Sequence, residues 1–215
     1  MSQIIPYYLS LIFRGIVFIL LISFITFLIQ NRSMKITNPF RNIPVHIKRI
    51  YRLLRVNHRS QIVWNELIKL HRKENWNFGL YENERYIRTT FKDNNNELEF
   101  NYQVTDEKLI LRAIIAVGFS EENITDIMIL SSHLNNLLTF GMVRVNIDDN
   151  YVEFIYHGDL LTYMLYPVVI HSNIGRHFRI TSDCYWAFSH MLNSGEEPVF
   201  VISELLKRNE EQNRD

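Results

Sequence analysis

Cys184 is the one cysteine among 215 residues, and eight histidines accompany it. A cysteine two residues into a helix begun at Ser182 would feel the partial positive charge of the helix terminus, which favours thiolate. Pairing with His177 or His190 would then supply the base for nucleophilic chemistry. The opposing reading is packing: Tyr185, Trp186 and Phe188 flank the thiol, and a free cysteine behaves as a small apolar residue. Metal ligation wants two donors on one helix face, at i, i+3 or i+4. His171 and His177 are six apart, as are Cys184 and His190, and His157, ahead of Gly158-Asp159, has no assignable partner. The chain contains no G-x-S-x-G, Walker loop, G-x-G-x-x-G or H-E-x-x-H, and its seven glycines leave little material for phosphate-cradling loops. The residues therefore point away from an enzyme: no catalytic, cofactor-binding or metal residue is assigned and no cofactor is expected. An enzyme using Cys184 as nucleophile stands as the alternative.

Charge is the second source of chemistry. The 23 basic and 23 acidic residues cancel, but residues 1–60 hold nine Lys/Arg and no acid, which leaves residues 61–215 at about −9. Within the basic part, Ile47, Ile50, Tyr51 and Leu54 recur at i, i+3, i+4 and i+7, and Lys48, Arg52, Arg55 and Arg59 form one stripe beside that apolar face. Such a helix can lie along an anionic membrane surface, each cation contributing about 1 kcal/mol. From Gln61 onward, Ile62, Val63, Trp64, Leu67 and Leu70 suit packing against a following domain. Membrane-proximal binding of nucleic acid through the stripe is a further alternative, but it is not the expected partner because no recognition fold accompanies the charges.

The elements that would position these residues begin with Tyr7–Ile29, an apolar run with Arg14 as its one charge, of the roughly 20-residue length a bilayer requires. It predicts a transmembrane helix. The cations that follow place the C-terminal part in the cytoplasm, as a single-pass protein of the bacterial inner membrane. A loop at Asn38-Pro39 and Pro44 precedes the basic helix. Strands are expected over Tyr86–Phe91, Leu98–Val104 and Leu109–Val117, with turns at Asp93–Asn96 and Thr105-Asp106. Ser120 can cap a helix carrying Ile124, Ile127, Met128, Leu134 and Leu138, ended by Gly141. A hairpin follows over Val143–Ile147 and Tyr151–His157, turning at Asp148–Asn150. Leu160–Tyr166 reads as a further strand, Ser182 as a cap, Gly195 as a stop and Pro198 as the start of a last helix.

Short turns between consecutive strands imply an antiparallel sheet with helices packed on one face, an α+β fold. The run LNNLLTFGMVRVNIDDNYVEFIY (Leu134–Tyr156) and the segment SDCYWAFSHMLNSGEEP (Ser182–Pro198) resemble the YbjN-type bacterial regulators, whose fold is that of type III secretion chaperones. The resemblance covers about residues 74–208 and implies a non-enzymatic, protein-binding module that often pairs with itself.

The expected organisation is a transmembrane anchor over 1–31, a basic juxtamembrane neck over 32–73, a chaperone-like α+β domain over 74–208 and a polar tail over 209–215. The expected role is a membrane-anchored adaptor or regulator that binds protein partners and forms homodimers.

Overall fold

A computed structural model describes residues 43–93 and 96–212. The chain divides into two compact units, Met1–Tyr51 and Arg52–Asp215. Helix α1 (Ile43–Leu53) runs into the second unit, with Val45, Ile47 and Tyr51 exposed. A 3-10 turn, Val56–His58, leads into α2 (Arg59–Lys73), so the described part of the basic neck, 43–73, is two helices with a break.

Six strands follow: β1 (Phe78–Tyr81), β2 (Tyr86–Asp93), β3 (Asn96–Val104), β4 (Lys108–Val117), β5 (Met142–Asn146) and β6 (Tyr151–Asp159). They form one antiparallel sheet in the order β1-β2-β3-β4-β6-β5. Register decides its faces. Phe100, Ala113, Phe154 and Val143 lie side by side across four strands, and Ile87, Tyr102, Leu111 and Tyr156 form a neighbouring row. Side chains alternate along each strand, so these rows share one apolar face. Arg88, Asn101, Arg112, Ile155 and Met142 form a row on the opposite face.

The apolar face is covered by helices in two clusters. Val63, Trp64 and Leu67 of α2, Leu160, Tyr163 and Met164 of α4 (Leu160–Leu165), and Ile170 and Ile174 of α5 (Val168–Ser194) pack on the first half of the sheet. Ile127, Leu130 and Leu134 of α3 (Ile124–Leu137), Cys184, Phe188 and Met191 of α5, and Val201 and Leu205 of α6 (Pro198–Gln212) pack on the second half. The fold is thus α+β, with the helices of the second unit on one side of the sheet. Strand β4 is central, as its sequence suggests, yet only alternate residues are buried, and Ile114 is exposed on the uncovered face.

Two features set the geometry near β5. Gly141 has φ +70°, and a Cβ there would lie 2.4 Å from the Phe154 ring and 2.8 Å from the Ile155 carbonyl oxygen, so the chain turns into β5 only with a hydrogen at this position. The Asn135 side chain then clamps the strand: Val143 N–H donates to its Oδ1 at 2.7 Å, and its Nδ2 donates to the Val143 carbonyl at 2.9 Å. A side-chain amide stands where another strand would pair.

Three expectations are corrected. Leu160–Leu165 is helix α4 rather than a strand, because the Asp159 carboxylate accepts from Thr162 N–H at 2.7 Å and from its hydroxyl at 2.8 Å, an N-cap that starts a helix. Bonds from Thr162 also hold the Asp159 carboxyl below its usual range. Ser182 caps nothing. It is buried within α5, a continuous 27-residue helix that ends where Gly195 takes φ 70°.

The third correction concerns the membrane. No helix among the described residues is long and apolar enough to cross a bilayer. Helix α5 has the length, but Arg176, Arg179 and Asp183 interrupt its apolar positions, and its buried residues face the sheet. The expected span over 1–31 lies outside the described residues. The described residues therefore do not bear out the transmembrane anchor, the single-pass inner-membrane placement or the cytoplasmic orientation.

Candidate functional site

The turn after α2 brings Trp76 beside the first hairpin, whose β2 strand contributes Phe91 and Lys92. Helix α5 crosses above them and presents His171, Ser172, Ile174, Gly175 and Phe178. Positions 171, 174/175 and 178 fall on one face of a helix, one and two turns apart. Together these residues enclose an open groove of 320 Å³. Its walls are aromatic: Trp76 stacks on His171 with centroids 6.2 Å apart and planes at 19°, meets Phe91 edge-on at 5.1 Å, and Phe91 meets Phe178 edge-on at 5.6 Å. Edge and face contacts of this kind hold rings in fixed orientation.

Gly175 opens one wall, since a Cβ built there would meet nothing within 4 Å. Below the groove lies the core through Phe100, 5.3 Å from Phe91. The polar groups sit at the rim: Lys92, which ion-pairs Glu97 of β3 at 3.2 Å, and exposed His171 and Ser172. His171 and Ser172 are consecutive on a helix and do not face each other, so they are not a base and its nucleophile. The groove suits an apolar or aromatic group with a polar margin.

On the uncovered face of the sheet the chemistry is polar and closed on itself. Glu153, wholly buried, is ion-paired with Arg112 at 3.0 Å and with Arg144. Tyr86 donates to Asn101, and Arg88 ion-pairs Glu99. Burial, and then the positive charge of Lys108, Arg144 and Arg112, lowers the His157 pKa. These contacts join neighbouring strands and leave no free charge at Glu153.

The residues singled out from the sequence are dispersed. Lys48 and Arg52 lie one turn apart on α1, whereas Arg55 follows that helix and Arg59 opens α2. Arg52 is spent on structure: it donates to the Met164 carbonyl at 2.7 Å and ion-pairs Glu66. Arg59 reaches the Asp106 carbonyl at 3.5 Å, while Lys48, Arg55 and Arg59 are exposed. Cys184 is buried in mid-helix, far from the α5 N-terminus, and burial followed by the charge of Asp183 pushes its thiol pKa far up. That is the opposite of what a nucleophile needs. His177 lies in the core against Phe100, Tyr102 and Phe154. His190 stacks on Trp186.

Trp76, Phe91, Gly175 and Phe178 were not singled out by sequence reasoning. Aromatic content alone does not tell core from groove, and the two walls are about a hundred residues apart in the chain.

No family model matches the chain. No curated protein matches it either. Among solved structures, the crystal structure of YbjN from E. coli, a protein proposed to regulate transcription, is similar to it with a TM-score of 0.43 and 13% identity, over 60% of this chain and 93% of that one. This is a distant likeness of fold, and no role is inferred from it.

Proposed function

We propose that the chain is a non-catalytic protein-binding adaptor or regulator that seats an apolar side chain of its partner in the groove between α5 and the first hairpin. The observation that carries this reading is the 320 Å³ aromatic-walled groove with its polar groups confined to the rim. Interfaces draw most of their affinity from one or a few apolar or aromatic anchors placed in such pockets. The burial of Cys184 supports the non-catalytic part, because the only thiol is shielded and held protonated. Exposed Val199 and Phe200 on α6 support self-pairing as a second contact of the same module.

The test fills the groove without touching the core. Gly175→Leu adds a side chain where a Cβ meets open space, and removing glycine from a helix interior stabilises it by about 1 kcal/mol. The variant should melt no lower than the natural chain while losing affinity for its captured partner by roughly thirtyfold, the effect of an anchor worth about 2 kcal/mol. A Gly175→Leu chain that melts normally and captures the same proteins with the same affinity overturns the proposal.

A further inference from the structure

His190 lies on the last turn of α5, Glu196 directly after the Gly195 stop, and Glu204 on the second turn of α6. The intervening turn folds these three elements together. His190 Nε2 is 3.3 Å from a Glu196 carboxylate oxygen and 3.1 Å from one of Glu204, and the three donor atoms lie within 4.8 Å of one another. Nε2 is shielded from solvent, and neither contact has hydrogen-bond geometry. The nitrogen is gathered with two oxygens rather than bonded to either. Trp186, one turn earlier on α5, stacks on the imidazole at 5.0 Å with planes 6° apart, and Arg208 lies 5.2 Å from the indole centroid. The ring is therefore held in orientation, as an outer layer holds a ligating histidine.

We propose that His190, Glu196 and Glu204 bind a divalent cation of the zinc class. Ligand atoms arranged tetrahedrally at about 2.1 Å from Zn²⁺ stand about 3.4 Å from one another, and the two measured spacings come within a few tenths of that. One imidazole and two carboxylates suit a borderline dication. Ca²⁺ asks for six to eight oxygens, and thiolates, which would favour softer ions, are absent from this set. A neutral imidazole and two carboxylates carry two negative charges, which a dication balances. Three protein ligands leave a fourth position for water or for a donor from a partner. The bound ion would tie α6 to the end of α5. The competing occupant is a proton on Nε2, which would make the group an ordinary ion pair.

The full chain, stripped with a chelator, should be titrated with Zn²⁺ by calorimetry and with Co²⁺ by visible absorption. The expected result is one equivalent bound, with Co²⁺ bands of tetrahedral intensity. His190→Ala, Glu196→Gln and Glu204→Gln should each weaken Zn²⁺ by at least about tenfold, the loss that even an outer-layer change brings, while His171→Ala leaves it unchanged. The three side chains are 31%, 42% and 48% exposed, so their replacement leaves the core intact. Zn²⁺ should also raise the melting temperature of the natural chain and not that of Glu204→Gln. No uptake at one equivalent, or uptake indifferent to all three substitutions, would overturn the proposal and leave the ion pair.

Discussion

His177 is fully buried on α5 among aromatic rings, and neither ring nitrogen makes a hydrogen bond of ordinary geometry. Burial lowers its pKa to about 3, with the Phe154 backbone offsetting only part of that. His71 is lowered in the same direction by burial, against a bond to the Leu67 carbonyl. In both cases the unfolded chain accepts a proton at a pH where the folded chain refuses it. Stability is therefore complete above the unfolded value near 6.5 and declines as pH falls below it, by at most about 1.4 kcal/mol per pH unit for each histidine. Denaturant melts between pH 7 and pH 5 should show this slope, and His177→Phe should flatten it; an unchanged slope would contradict the assignment. The sequence, with Ser182 read as a helix start, shows neither that His177 shares a helix with Cys184 and His190 nor which of the three are inside. That depends on the sheet beneath α5. The grouping of His190 with Glu196 and Glu204 was equally illegible, because spacings of six and eight residues acquire meaning only when a helix, a turn and a second helix fold back on one another.

Elements read most clearly where period and punctuation agree. Strands β3 and β4 alternate apolar and polar residues or run apolar between turn signals, and both stand where the pattern places them. Helix α5 was harder, since Ser182 has a capping residue's chemistry and nothing local reveals that a helix already surrounds it. Asp159 with Thr162 was a readable cap that the apolar run Leu160–Tyr166 masked. Gly158 is also set by its neighbour, for a Cβ there would fall 2.2 Å from the Tyr163 ring, whose hydroxyl accepts from Asn173 at 2.7 Å. Gly158→Ala should cost about 1–3 kcal/mol, in the range for forced overpacking, and Gly141→Ala more, since it adds an unfavourable φ to a clash with Phe154. Asn135→Ala should remove about 1–3 kcal/mol by leaving both Val143 backbone groups without their amide partner. Thermal melts of the three variants rank these effects; a Gly158→Ala chain as stable as the natural one would mean that Tyr163 does not rest there.

At the scale of the molecule, the compact unit starts at Arg52. Val63, Trp64 and Leu67 are buried in its first cluster, and burying each such side chain contributes about 1.5–3 kcal/mol. That total is comparable with the whole stability of a domain. A fragment of residues 52–215 should therefore unfold cooperatively, and one of residues 74–215 should not; circular dichroism during heating distinguishes them. The charge division visible in the sequence did not disclose this boundary, because Arg52 and Arg59, near the end of the basic region, contact Met164 and Asp106 rather than standing apart. The Asn135 amide has a consequence at this scale as well. With the β5 rim plugged at Val143, copies of this chain cannot stack end over end through their sheets into an unlimited ribbon. Growth by that route would stop after two copies joined at β1.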